Sequence, residues 1–96
     1  MRMYRQGDVL IVESRHTLGT KAPDKILVYG ETTGHAHRVE GDALVMDLRD
    51  GSKVIQAAEP FKVVHEEHDT IEIPEGFYRV VRQREYDEKE IRYVAD

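Results

Sequence analysis

The hydrophobic residues of the chain fall into short runs that are separated by turn residues. The first run, residues 9–12, is continuous and rich in β-branched side chains, which predicts a strand buried on both faces. Residues 43–48 alternate between apolar and polar side chains, a pattern typical of a half-buried strand. The same reasoning predicts seven or eight short strands, at residues 9–12, 26–29, 35–40, 43–48, 54–57, 61–65, 70–73 and 77–82.

Turn-forming residues mark the predicted connections. Residues 14–24 contain glycine, proline and several polar side chains, and they predict a loop. Gly41-Asp42 and Asp50-Gly51 lie between apolar runs and predict two hairpin turns. At the end of the chain, Asp87 and Glu90 have the spacing of a capping box, which predicts a short C-terminal helical turn.

Short strands at regular turn spacing, with almost no helix, predict an all-β fold. The arrangement favours either a closed antiparallel β-barrel or a sandwich of two sheets. A chain of 96 residues has no room for a second core, so we expect a single β domain over residues 1–96.

Composition and charge narrow the function classes. The absence of cysteine excludes disulfides and thiolate metal ligands, and it fits a reducing compartment. No apolar stretch is long enough to cross a bilayer and the N-terminus lacks a signal-peptide core, so we expect a cytoplasmic protein with no membrane partner. The formal net charge of −5 disfavours non-specific nucleic-acid binding.

Four of the five histidines lie in two short clusters, at residues 35–37 and 65–68. His35 and His37 are two apart in a predicted strand, so their imidazoles should project side by side from one face. A bulge or turn through Glu66-Glu67 would return His68 to the face of His65. Because neutral imidazole is a common metal ligand, the two pairs predict a divalent-metal site, for zinc, iron, nickel or manganese.

Carboxylates near the histidines are candidates for an oxygen ligand, a hydrogen-bond partner of a ligand, or a general base: Glu40, Glu66 and Glu67. Twenty-seven residues separate His37 from His65, so the topology permits the two clusters to meet and does not require it. The alternative interpretation is that the histidines are polar residues at strand ends and that Glu66-Glu67 is a solvated turn.

The turn at residues 30–34, running into His35-Ala36-His37 with Glu40 shortly after, resembles the first motif of the cupins, small metal-binding jelly-roll barrels. Pro74-Glu75-Gly76 resembles the Pro-x-Gly of their second motif, although Arg79 stands where a histidine is expected. The resemblance implies a cupin-like jelly-roll architecture and no particular activity.

A second resemblance covers more of the chain. The segments GETTGHAH (residues 30–37), HEEH (65–68) and YRVVRQREY (78–86) are similar to segments of a group of small uncharacterised bacterial proteins. This likeness implies that the motifs belong to one unit, and it implies no chemistry.

Arginines form the other candidate site. Guanidinium groups suit phosphate or carboxylate recognition, and Arg82 and Arg84 are two apart in the run 78–86, a spacing that places side chains on one face of a strand. Ion pairs with neighbouring acidic residues would explain them equally well. The candidates for anion binding are Arg38, Arg79, Arg82 and Arg84.

Two functions of different classes follow from these features. The first is a small metal-binding β-barrel protein, either a metal-dependent enzyme acting on a small-molecule ligand or a protein with a structural metal. The second is a non-enzymatic interaction or assembly module that forms homo-oligomers or binds a partner protein through exposed sheet edges and the charged C-terminal segment. A nucleic-acid binder that uses Arg79, Arg82, Arg84 and the neighbouring tyrosines is a weaker alternative, because the acidic balance of the chain opposes it.

Overall fold

The computed structural model describes residues 2–15, 19–30 and 34–82. Within these ranges the chain forms ten strands and no helix. In chain order the strands are β1 Met3–Gln6, β2 Val9–Glu13, β3 Thr20–Lys21, β4 Ile26–Tyr29, β5 Ala36–Glu40, β6 Ala43–Asp47, β7 Lys53–Ala57, β8 Phe61–Val64, β9 Ile71–Ile73 and β10 Gly76–Arg82.

The strands build two antiparallel sheets. One sheet has six strands in the order β1-β2-β10-β7-β6-β3, and the other has four in the order β4-β5-β8-β9. Among the described strands each sheet is open at both ends, so the fold is a two-sheet sandwich and the closed-barrel alternative is not what these residues form. The prediction of an all-β fold is confirmed.

The core lies between the two sheets. Ile55 and Tyr78 of the six-stranded sheet belong to the same buried cluster as Phe61 and Val63 of the four-stranded sheet. The rings of Phe61 and Tyr78 meet edge to face across the interface, with centroids 5.7 Å apart. Aromatic pairs of this geometry add to the free energy gained from burial, so they help to hold the two sheets together.

Strand β2 behaves as its sequence predicts. Residues Val9 to Val12 are all 3% exposed or less, so β2 is buried on both faces, and β1 and β10 flank its two edges. Val9 and Ile11 belong to the core between the sheets, and the alternation of side chains places Leu10 and Val12 on the opposite face.

Two strands were not predicted from the sequence pattern. Strand β3 lies inside the predicted loop 14–24, and both of its residues are exposed. Strand β1 has one buried residue, the polar Gln6. Both strands lie at the ends of the six-stranded sheet, where backbone hydrogen bonds to one neighbour suffice and little apolar periodicity is required.

The predicted hairpin turns had different outcomes. The Asp50-Gly51 hairpin is confirmed, since β6 and β7 pair and the Leu48 amide donates to the Ser52 carbonyl at 2.9 Å. The Gly41-Asp42 hairpin is wrong, because β5 and β6 belong to different sheets and the turn carries the chain from one to the other. Gly41 has a φ of 118°, a value that favours glycine at this crossing.

Two further expectations concern helices. The predicted C-terminal helical turn at residues 87–94 lies outside the described residues. In the described ranges we find no helix of the length and apolar character needed to span a bilayer.

Candidate metal centre

The two histidine clusters meet because β5 and β8 are antiparallel neighbours in the four-stranded sheet. Arg38 pairs with Val64 in their register, so the next position along places His37 opposite His65. The centroids of these two imidazoles lie 4.3 Å apart. Strand β5 begins at Ala36, one residue later than predicted, and His35 precedes it.

His65 is the central ring of the cluster. Its centroid lies 4.6 Å from that of His68 and 5.7 Å from that of His35. The ring of His37 also stacks on that of His68, with centroids 5.9 Å apart. The structure therefore brings together all four histidines of the two clusters.

Residues 66–68 form a bend after the end of β8 and, together with His65, make up what we call the bend 65–68. The chain turns through Glu66-Glu67, and the ring of His68 lies against that of His65. The backbone approaches His68 closely from the other sheet. A Cβ atom on Gly7 would lie 2.6 Å from Nε2 of His68, and Gly7 has a positive φ of 63°. Glycine is therefore required in the β1–β2 turn if His68 is to keep its place.

His37 is a buried polar residue, 5% exposed, and this burial governs its protonation. Its pKa is lowered from 6.5 to about 4. Loss of solvation is the largest cause of this shift, and the neighbouring charge of His65 is the next. His37 is thus a neutral imidazole near neutral pH, the form that binds metal ions.

Gln6, which the sequence analysis did not select, is the hydrogen-bond partner of His37. Its Oε1 lies 2.8 Å from Nδ1 of His37, and its Nε2 donates to the carbonyls of Val63 and Asp69, each at 2.9 Å. The signal available in the sequence was weak: a glutamine at the end of a mixed polar segment, next to Gly7-Asp8.

Glu66 is held as a carboxylate at the edge of the cluster. Its Oε2 accepts a hydrogen bond from the Ala36 amide at 3.0 Å, and its Oε1 forms an ion pair with Arg38. The Ala36 hydrogen bond, together with the charge of Arg38, lowers the pKa of Glu66 to about 2.

The other carboxylates lie differently. Glu67 Oε1 is 3.3 Å from Nδ1 of His35, with its side chain 65% exposed. Its amide donates to Nδ1 of His65 at 3.0 Å. Glu40 ends β5, opposite Lys62 in the register with β8 and three residues beyond His37, so it lies away from the cluster.

Among the residues that the structure describes, one set of donors is close enough to bind a single ion. Ligand atoms of His35, His65 and Glu66 all lie within 4.8 Å of one another. Tetrahedral zinc with bonds of about 2.0–2.1 Å places its donors roughly 3.3 Å apart. The distance between any two of these donor atoms would therefore have to shorten by at most about 1.5 Å. Side-chain rotation can provide a movement of this size.

The candidate anion-binding arginines do not form one patch in the described part of the chain. Arg38 is engaged by Glu66. Arg79 and Arg82 are three apart in β10, so they point to opposite faces of the sheet. Arg84 lies outside the described residues.

A family model with the description "Domain of unknown function (DUF8820)" matches residues 5–83. The matched span contains Gln6 and both histidine clusters. No curated protein and no solved structure matches the chain. Because the family model covers most of its length, the chain belongs to the family described as Domain of unknown function (DUF8820).

Proposed function

We propose that this protein binds a divalent transition-metal ion at the histidine cluster between β5 and β8. The observation that carries the proposal is the proximity of three donors, since ligand atoms of His35, His65 and Glu66 lie within 4.8 Å of one another. The rings of His37 and His68 lie against His65 and add two further nitrogen donors to its surroundings. The likeness of the turn before His35 to the first cupin motif supports the same kind of site.

The chemistry of the donors favours a particular class of ion. Two imidazoles and one carboxylate suit zinc, iron(II), nickel or manganese, whereas magnesium and calcium prefer all-oxygen surroundings. The ion pair between Glu66 and Arg38 would have to loosen for Glu66 to share a lone pair with the metal, because a cation so near opposes a second one.

A three-donor site would leave coordination positions open for water or a small-molecule ligand, which is the arrangement of catalytic metal sites. Glu67 is exposed and close to His35, so it is the carboxylate placed to accept a proton from such a water. If His37 and His68 also bind, the coordination is closed and the metal is structural.

The test is metal titration of the untagged protein by calorimetry with zinc, followed by elemental analysis. We expect uptake of one ion per chain in the wild type and its loss in His65→Ala. Glu66→Gln should weaken binding, whereas the matched variant Glu40→Gln, at the far end of β5, should bind as the wild type does. A wild type that takes up no zinc, cobalt or nickel would contradict the proposal.

An assembly module is the second candidate, and a specific surface favours it. Met3, Leu44 and Phe77 are exposed apolar side chains on the face of the six-stranded sheet that points away from the core. Exposed apolar side chains on one face are typical of a protein–protein contact. If two copies meet there, light scattering should show an oligomer that persists in chelator and that dissociates in Leu44→Lys/Phe77→Lys, whereas a monomeric wild type would argue against this candidate.

A further inference from the structure

We propose that Gln6 is a positioning residue of the metal centre: it holds His37 in the tautomer whose unprotonated Nε2 can join the three donors of the proposed site as a further ligand. The inference rests on the proposed metal site and names a residue that acts on it through a histidine. Gln6 is 2% exposed and His37 is 5% exposed, so water does not compete for the hydrogen bond between them.

The orientation of the Gln6 amide follows from its partners. Its –NH₂ group lies 2.9 Å from each of two carbonyl oxygens, those of Val63 and Asp69. A carbonyl oxygen can only accept, so both hydrogens of the amide are used in these two bonds. The remaining atom, Oε1, can only accept as well, and it lies 2.8 Å from Nδ1 of His37.

These partners determine which ring nitrogen of His37 carries the proton. Nδ1 must carry it in order to donate to Oε1 of Gln6, and a neutral imidazole has a single N–H. Nε2 is left with an unshared electron pair, which is the state a nitrogen needs to bind a metal ion. The reverse tautomer would set two lone pairs against each other in a buried site.

Gln6 also spans the segment that carries two of the other three imidazoles of the cluster, those of His65 and His68. Val63 lies two residues before His65, and Asp69 comes directly after His68, so the two carbonyls bound by Gln6 bracket the bend 65–68. The next residue, Gly7, packs against His68. One dipeptide at the end of β1 therefore sets the positions of His37 and His68 relative to His65.

The first measurement is the tautomer of His37 in metal-free wild-type protein, by long-range ¹H–¹⁵N correlation spectroscopy. We expect a protonated Nδ1 and an unprotonated Nε2. A proton on Nε2 would overturn the inference, whether or not the protein binds metal.

The second measurement is zinc affinity. Gln6→Met keeps the length of the side chain and removes all three hydrogen bonds, so we expect a mixed tautomer and a zinc dissociation constant raised about 10- to 100-fold. Gln56→Met is the matched control, because Gln56 lies in β7 on the face of the six-stranded sheet that points away from the histidine cluster, and it should bind zinc as the wild type does. Gln6→Glu, which keeps an acceptor for Nδ1–H, should restore the tautomer and part of the affinity.

The outcomes separate this inference from the proposed function. Wild-type affinity in a folded Gln6→Met would overturn the role of Gln6 and leave the metal site standing. Failure of the wild type to bind zinc would overturn both. If Gln6→Met does not fold, the wild-type tautomer and the zinc affinity of Gln6→Glu decide the question.

Discussion

At the scale of single residues, the protonation of the site follows from what each side chain contacts. His37 is buried among other imidazoles and is neutral, whereas Glu66 accepts a backbone hydrogen bond, pairs with an arginine and stays ionised. The pKa of each group is lowered, by desolvation for His37 and by hydrogen bonding for Glu66, so the histidine is kept neutral and the glutamate is kept charged.

The depressed pKa of His37 predicts how stability depends on pH in the metal-free protein. The unfolded chain binds a proton at His37 near pH 6.5 and the folded chain near pH 4, so the unfolded state holds more protons between these values. Protonation of His37 therefore does not lower the free energy of unfolding above pH 6.5. As the pH falls, it lowers this free energy progressively, by about 2–3 kcal/mol at roughly pH 4.5.

This prediction is checked by urea unfolding of wild type and His37→Gln across that range. The groups that face His37 and titrate or carry charge are His65, His68, Asp8 and Glu66, and they are present in both proteins. The difference between the two free energies of unfolding thus isolates His37. Parallel pH profiles would show that the buried imidazole is not the cause.

The close approach of Gly7 to His68 gives a second prediction at this scale. Gly7→Ala should destabilise the protein more than Gly34→Ala, although both glycines have positive φ angles, 63° and 74°. Alanine at either position strains the backbone by a similar amount, about 1–2 kcal/mol. The added methyl group meets His68 at Gly7 and nothing within 4 Å at Gly34. Thermal unfolding of the two variants measures the difference, and equal losses would contradict the contact.

At the scale of elements, the bend 65–68 carries two imidazoles of the cluster and is stabilised by a hydrogen bond to one of them. Nδ1 of His65 accepts the Glu67 amide hydrogen, so the proton of neutral His65 lies on Nε2. A metal bound at Nδ1 would displace that amide directly. A metal bound at Nε2 would require the proton to move to Nδ1, which would remove the acceptor.

Metal uptake should therefore change the Glu67 amide whichever nitrogen binds. We expect its ¹H–¹⁵N signal to shift and its hydrogen exchange to accelerate on addition of zinc, because the bond to His65 is lost. The Leu48 amide, which closes the β6–β7 hairpin in the other sheet, is the internal control and should not change. An unshifted Glu67 signal in zinc-saturated protein would exclude His65 as a ligand.

At the scale of the whole molecule, stability comes from the contact between the two sheets. Phe61 is 2% exposed and meets Tyr78 across the interface, whereas Phe77, next to Tyr78 in β10, is 38% exposed on the outer face. Phe61→Ala should lower the free energy of unfolding by about 3–5 kcal/mol, and Phe77→Ala by less than about 1 kcal/mol. Chemical denaturation gives both values, and comparable losses would place the core elsewhere.

Much of the fold could be predicted from local pattern. Burial on both faces of β2 appears as a continuous β-branched run, and the β6–β7 hairpin appears as Asp50-Gly51, because both depend on a few adjacent residues. No local sequence pattern indicates the exposed strand β3 or the crossing between sheets at Gly41. An edge strand needs no apolar face, and a tight turn looks the same whether it joins paired strands or two sheets.

The sequence by itself determined that the chain is all-β and that it carries four histidines in two pairs with carboxylates beside one of them. Only the tertiary structure decided that the pairs meet, since that depends on β5 and β8 becoming neighbours in one sheet. It alone selected Gln6, whose amide bonds to a carbonyl 57 residues away. Periodicity and turn chemistry are local properties, whereas strand pairing and buried polar contacts arise from the packing of the complete chain.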